Sequence, residues 1–339
     1  MTEKLPEGYL ERAPRIEDTE ALVEMFNAVS QKLLGVDQVT VEEQRIEFET
    51  PGRSLEQDFR VMVAPDGTMA GYIEVFGLSE PFTPLYCWGR VHPEHEGRGV
   101  GSTLLEWAEQ RARQALPLSA PDVRVPLWAF CTTIDTQAQK LFTDHGFSLL
   151  RHNLRMVIAL DGPPPEPVWP EGITLRTVVP GQDEYPAFIA SREAFEDHFG
   201  HVKRPLEEEY QTWSHRVLNS SDYDPSLWFL AWDGEQIAGG SLCFQRVDND
   251  PGFGWVASLS VRRPWRKRGL GLALLQQSIA EFYRRGFHKV GLGVDAQNLS
   301  GAVRLYEKAG MRSDLRHQMT IYEKELRPGK EAFCTGNEG

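Results

Sequence analysis

The sequence predicts an α/β protein of two similar domains in tandem, each a mixed sheet with helices on both faces. Three observations carry that expectation. The run Val91-His-Pro-Glu-His-Glu-Gly-Arg-Gly-Val-Gly101 returns as Val261-Arg-Arg-Pro-Trp-Arg-Lys-Arg-Gly-Leu-Gly271, 170 positions later. Around each copy the order is the same: a strand-like apolar run, a short glycine-rich turn, then a helix-like run. Between the copies, Asp161–Gly172 contains five prolines, which disfavour helix and sheet and mark a stiff connector.

In the first half, Glu11–Arg15 reads as a short strand ahead of an amphipathic stretch. Phe59–Gly71 is an apolar run that meets Asp66-Gly67 and leaves through Ala70-Gly71, the pattern of a β-hairpin. A helix follows the glycine turn, and Ala138–Phe147 closes the half. The second half repeats these pieces at Thr174–Val178 and at Phe229–Gly239, with Asp233-Gly234 as the turn. Gly254–Val261 is β-branched and apolar enough to be a buried strand. In the helix over Leu272–Tyr283, Leu274, Leu275, Ser278, Ile279 and Phe282 fall on one face. A strand at Val290–Val294 and a helix beginning at Ala302 complete it. The expected boundaries are a first domain at 1–161, a Pro-rich linker at 162–171, a second domain at 172–327 and a flexible tail at 328–339.

A chain of 339 residues is long enough for two cores, and 41% apolar with 25% charged residues describes a globular protein. No apolar run is long enough to span a membrane, and the first residues lack the apolar core of a secretory signal. Cys87, Cys131, Cys243 and Cys334 are scattered, without a Cys-x-x-Cys pair; the expectation is a reducing cytoplasm. The net charge of −13 argues against nucleic-acid binding.

The turns carry the chemistry. A strand, a basic glycine-rich turn and a helix aim unpaired backbone N–H groups at one point, where an anion is favoured. Gly269 and Gly271 allow close approach of a ligand and positive φ where needed. No third glycine follows to make Gly-x-Gly-x-x-Gly, and no Gly-Lys-Ser/Thr follows either turn. A dinucleotide oxidoreductase and a nucleotide triphosphatase are thereby excluded.

The ordered pattern Arg266-x-x-Gly269-x-Gly271, helix, strand, Asn298, then Ala302-x-x-Leu305-Tyr306-x-x-x-Gly310 resembles the acyl-CoA-binding core of the GNAT superfamily of N-acyltransferases. The whole chain then resembles a tandem pair of such α/β (α+β) mixed-sheet domains. The resemblance implies direct transfer of an acetyl group from acetyl-CoA to a primary amine of a small molecule, within a ternary complex and without a metal. It implies that Arg266, Lys267, Arg268, Gly269, Leu270 and Gly271 cradle the pyrophosphate. It also implies that main-chain groups of Leu259, Ser260 and Val261 bind pantetheine and polarise the thioester. Asn298 matches the residue that holds the pantetheine arm, and Tyr306 the phenol that protonates the departing thiolate. Taken singly, the basic turn reads as solvated, Asn298 as a helix N-cap and Tyr306 as a core aromatic. Their coincidence in the expected order favours the functional reading.

For the general base three sources stand open. Ser258 can orient a water or the substrate; Glu196–His201 holds His198 and His201 in a segment the family often uses to line its acceptor site; solvent is the third. As a metal pair, His198 and His201 lack a third ligand. In the first half, Val91, Gly97, Arg98, Gly99, Val100 and Gly101 form a second candidate CoA site. There Glu96 replaces Arg266, Phe142 replaces Tyr306, and Asp135-Thr-Gln137 offers no clear equivalent of Asn298. Those losses favour a scaffold or weak binder over an enzyme. The competing functions are a non-catalytic CoA-binding or interaction module and a protein or peptide N-acetyltransferase. A monomer or homodimer is expected, with no membrane partner.

Overall fold

The computed structural model describes residues 7–298 and 301–335. The chain forms two compact units whose membership does not follow the repeats. The first holds Met1–His152, Val202–Ser220 and Arg316–Phe333; the second holds Asn153–His201, Ser221–Leu315 and Cys334–Gly339.

The first repeat contains β1 (Leu10–Arg12), α1 (Thr19–Leu34), α2 (Val41–Phe48), α3 (Leu55–Asp58), β2 (Phe59–Val63) and β3 (Met69–Phe76). It continues with β4 (Leu85–Val91), α4 (Val100–Gln114), β5 (Val125–Thr132), α5 (Thr136–Asp144) and β6 (Ser148–Ala159). The second repeat contains β7 (Ile173–Thr177), α6 (Glu184–Ala194), α7 (Leu206–Leu218), β8 (Tyr223–Asp233), β9 (Gln236–Phe244) and β10 (Phe253–Val261). It ends with α8 (Leu270–Arg284), β11 (Lys289–Asp295), α9 (Ala302–Lys308), β12 (Arg312–Ser313) and β13 (Met319–Arg327).

In the first unit the strand order is β1-β2-β3-β4-β5-β13, antiparallel except for β4 against β5. The last strand of the chain therefore closes the sheet of the first repeat. In the second unit the order is β6-β11-β10-β9-β8-β7, antiparallel except for β10 against β11. Its closing strand is β6, the last strand of the first repeat, whose Asn153–Ala159 pair with Asp295–Lys289. Each repeat lends its final strand to the other unit, and the second also lends α7.

Local chemistry accounts for the elements. The β2–β3 hairpin turns at Asp66-Gly67, with Gly67 at φ 90°, and β8–β9 turns at Gly234, at φ 57°. Helix α2 opens with a capping box, the Thr40 hydroxyl accepting from the Glu43 N–H and the Glu43 carboxylate from the Thr40 N–H. Helix α4 buries Val100, Leu104, Leu105, Ala108 and Ala112 against Leu85, Cys87, Val125 and Leu127. Helix α8 buries the predicted face, Leu274, Leu275, Ser278, Ile279 and Phe282. The Phe282 ring packs on Gly254, where a Cβ would stand 2.3 Å from it; only glycine fits there. Buried Ser278 is satisfied by the Leu274 carbonyl and the Ser241 hydroxyl. Cys87, Cys131 and Cys243 are buried on β5's and β9's sheets as small apolar groups.

One expectation needs correction. The segment after β13 is not a loose tail: the Lys330 N–H donates to the Asp122 carbonyl, the Arg124 N–H to the Lys330 carbonyl, and Phe333 is buried against Trp128. Residues 336–339 lie outside the described residues.

Candidate functional site

Both glycine turns share one backbone. In the second unit Lys267 and Gly269 take positive φ, 61° and 88°, directly before α8. In the first, Gly97 and Gly99 take 69° and 79° before α4. Among the described residues, no acceptor meets the N–H groups of Lys267, Arg268, Gly269, Leu270 and Gly271, or of Gly97, Arg98, Gly99, Val100 and Gly101. Each turn thus presents a nest of free donors at a helix N-terminus, a geometry that binds anions. Lys267 holds a left-handed conformation that costs a non-glycine residue strain, which fits a functional turn. Lys267 and Arg268 are exposed at the mouth.

Two expectations about the turns change. Arg266 is a strut and not a free phosphate ligand: its guanidinium grips both carboxylate oxygens of Asp197 and also donates to the Ala194 and Val261 carbonyls. The hydrogen bond from Arg266 holds the Asp197 carboxyl below its ordinary pKa. Glu96 does not set a bare carboxylate beside the phosphates, because Lys32 of α1 lies 2.5 Å from it. In both units an ion pair ties the turn to an earlier segment with the charges reversed, from Lys32 within α1 and from Asp197 just beyond α6. Gly271 also makes room for a neighbouring helix. It has helical φ, and an added Cβ would face Leu305 at 3.2 Å; at Gly101 the neighbour is Leu141 at 3.1 Å. These glycines seat one helix on the next.

The parallel strands beside each turn diverge. β10 and β11 pair over Phe253–Val256 against Lys289–Leu292, and a bulge at Ala257 interrupts the register of β10 on β9. Leu259, Ser260 and Val261 therefore pair with a strand, β9, on one side only; on this stretch the Val261 carbonyl is taken by Arg266. β4 and β5 pair only over Leu85–Cys87 against Leu127–Ala129.

Tyr306 lies on α9 with 8% of its surface exposed, packed with Val256, Leu292, Val294 and Met311. Its hydroxyl has no hydrogen-bond partner among the described residues, and burial pushes its pKa up to about 12. Asn298 follows β11, its N–H bonded to the Asp295 carbonyl. It is not the N-cap of α9, which begins after Gly301; Leu299 and Ser300 lie outside the described residues. The Ser258 hydroxyl lies 3.2 Å from that of Ser191 on α6.

His198 stands beyond α6, edge-on to Phe195 at 4.6 Å, half-buried and within electrostatic reach of Arg266 and Asp295. Burial lowers its pKa, and Asp197 opposes that shift. At neutral pH it is the neutral imidazole, able to accept a proton. Among the described residues no three His, Cys, Asp or Glu side chains are grouped to hold a metal ion.

The first unit contains an open cavity of about 460 Å³ where β4 and β5 part. It runs from Gly97, Gly99 and Gly101 past Phe142 to Tyr72, Trp88 and Phe130. Phe142, in the place of Tyr306, supplies a wall without a hydroxyl. Sequence reasoning missed Asp197, Lys32 and Arg90. The first lies inside the segment already singled out, so a search for charges complementary to Arg266 would have found it.

Comparison with known proteins places these features in context. A profile described as acetyltransferase (GNAT) family matches residues 190–311, and one described as acetyltransferase (GNAT) domain matches residues 57–149. A mycothiol acetyltransferase of Thermobispora bispora is 33% identical over 238 residues, 69% of this chain and 75% of that protein. The mycothiol acetyltransferase of Streptomyces coelicolor is 30% identical over 276 residues, 79% of this chain and 81% of that protein. A GCN5-related N-acetyltransferase structure from Sphaerobacter thermophilus is 35% identical with a TM-score of 0.76, covering 97% of this chain and 99% of that one. A tandem GNAT protein from the clavulanic acid biosynthesis pathway shares the fold at 15% identity, with a TM-score of 0.67 over 95% of this chain and 99% of that one.

Proposed function

As the chain belongs to the GNAT acetyltransferase family and is an N-acetyltransferase of that type, we propose that its second unit transfers an acetyl group from acetyl-CoA to a primary amine of a small molecule. Membership of the family sets aside a non-catalytic interaction module. The mycothiol acetyltransferase relatives favour a small acceptor over a protein or peptide.

The observation that carries the reading is the difference between Tyr306 and Phe142 at the ends of two otherwise matching turns. A phenol raised to about 12 is protonated at neutral pH and can give its proton to a leaving thiolate. In the proposed reaction the pyrophosphate rests on the N–H nest of Lys267–Gly271, with the exposed cations Lys267 and Arg268 beside it. Pantetheine enters between β10 and β11, and the edge of Leu259–Val261 away from β9 receives the thioester. The acceptor amine attacks the carbonyl carbon, the C–N bond forms and the C–S bond breaks. His198 takes the proton from nitrogen, and Tyr306 supplies one to sulfur. Arg266 and Asp197 hold the turn in place.

The first unit is proposed to bind an acyl-CoA without transferring it. Its cavity and intact N–H nest support binding, and Phe142 removes the acid.

The test is release of free thiol from acetyl-CoA across a panel of small amines. Reversing the exposed cations of the second turn, Lys267→Glu with Arg268→Glu, is expected to raise the KM for acetyl-CoA at least about tenfold. Arg98→Glu in the first turn is expected to leave turnover near wild type. Loss of turnover in Arg98→Glu alone would move the chemistry to the first unit.

A further inference from the structure

We infer that the cleft of the first unit takes an acyl-CoA whose acyl chain ends in a carboxylate, with Arg90 as the group that recognises it. The inference rests on the reading that this unit binds an acyl-CoA, and adds which one.

The argument is a charge inventory of the cavity wall. Glu96 is held by Lys32 at 2.5 Å. Lys140 and Asp144 hold each other at 2.6 Å, one turn apart on α5. The Asp135 carboxylate caps α5 by accepting from the Ala138 N–H. That cap leaves the Asp135 charge in place, acting on Arg90 from a distance, and Arg90 is, among the described residues, the one wall cation without an ion-pair partner in contact. No carboxylate lies within 4 Å of it among the described residues; it donates only to the Gly89 carbonyl beside it and lies 4.7 Å over the Trp88 ring. Burial drives its pKa down, and the charge of Asp135, beyond contact distance, offsets that shift only in part. A guanidinium in that state is satisfied by a planar anion that it can grip with two N–H groups.

Position selects the anion. The phosphates belong at Gly97–Gly101, where the free N–H groups are. Arg90 stands on the part of β4 that has left β5, with Trp88, on the wall that also carries Tyr72 and Phe130. A ligand laid through the cleft from the turn brings its acyl end, and not its phosphates, to that wall. An acetyl group offers Arg90 nothing, whereas a succinyl group offers a carboxylate.

The experiment titrates the full chain by calorimetry with acetyl-CoA, succinyl-CoA and free succinate. Wild type, Arg90→Gln and Arg90→Lys are compared. The expected result is two acetyl-CoA sites per chain in all three proteins. One site prefers succinyl-CoA in wild type, and Arg90→Gln weakens that site at least about tenfold for succinyl-CoA only. Arg90→Lys, which keeps the charge but not the fork, recovers part of the loss. Equal affinity for the two thioesters in wild type overturns the inference, whatever the variants do. Equal weakening of both thioesters in Arg90→Gln also overturns it and makes Arg90 a wall of the cavity. Free succinate binding as tightly as succinyl-CoA, and needing Arg90, overturns the assignment of the anion to a thioester. A single acetyl-CoA site per chain instead overturns the reading of the first unit as a CoA-binding unit, a separate outcome.

Discussion

Replacing Tyr306 by phenylalanine removes one oxygen and keeps the ring that packs against Val256 and Leu292. The hydroxyl makes no hydrogen bond to the described residues, so no protein partner is left unsatisfied and stability is expected to move by no more than about 0.5 kcal/mol. The chemical consequence is larger. With its pKa near 12, the phenol is protonated at every pH used for assay, and its loss withdraws a proton donor from the sulfur. General acid catalysis contributes about 100- to 10,000-fold. A thiolate needs less help to leave than an alkoxide does, so kcat is expected to fall about 100-fold, with the KM for acetyl-CoA unchanged. The assay is steady-state thiol release, beside a calorimetric isotherm for acetyl-CoA and a thermal melt. The companion variant Phe142→Tyr is expected to add no activity. Full turnover in Tyr306→Phe would refute the role of acid, and a change confined to acetyl-CoA affinity would make Tyr306 a binding residue.

Three further outcomes are expected. Asp197→Asn takes the carboxylate from Arg266 and should cost about 1–2 kcal/mol in denaturant unfolding, since both partners are partly buried and the contact has two hydrogen bonds. The folded Asp197 pKa is lowered, so its contribution is present above the unfolded value of about 3.9 and fades as pH falls through the folded one; wild type and variant should converge in acid. If His198 is the base, its lowered pKa puts the acid limb of kcat/KM below pH 6.5, and His198→Gln should lower the rate and abolish that limb; a limb that survives the substitution excludes it. Expressed alone, residues 1–161 lack β13 and leave β5 as an open apolar edge; this fragment should aggregate, and a soluble, cooperatively melting fragment would show that the strand is dispensable.

What the sequence determined by itself is what a few neighbouring residues decide. The turn at Lys267–Gly271 and its copy at Gly97–Gly101 are set by glycine, by the end of a strand and by the start of an amphipathic helix. Their backbone shape and free N–H groups could be expected before any contact was known. The buried face of α8 followed from spacing along one helix, and the hairpins followed from Asp-Gly pairs. The difference between Tyr306 and Phe142, on which the proposed acid rests, was legible because an aligned repeat compares like positions. What only the tertiary structure decided depends on residues far apart in the chain. Arg266 looks like a phosphate ligand until Asp197, 69 positions away, takes it up. Glu96 looks like a defect until Lys32, 64 positions away, neutralises it. Gly271 was expected to serve a ligand, and its open side also faces Leu305, because the direction of a missing Cβ is fixed by how α8 lies on α9. The exchange of β6 and β13 was hidden because two similar repeats offer each closing strand two similar places to pair. Local pattern is blind to that choice, which is made by the contacts of the whole chain.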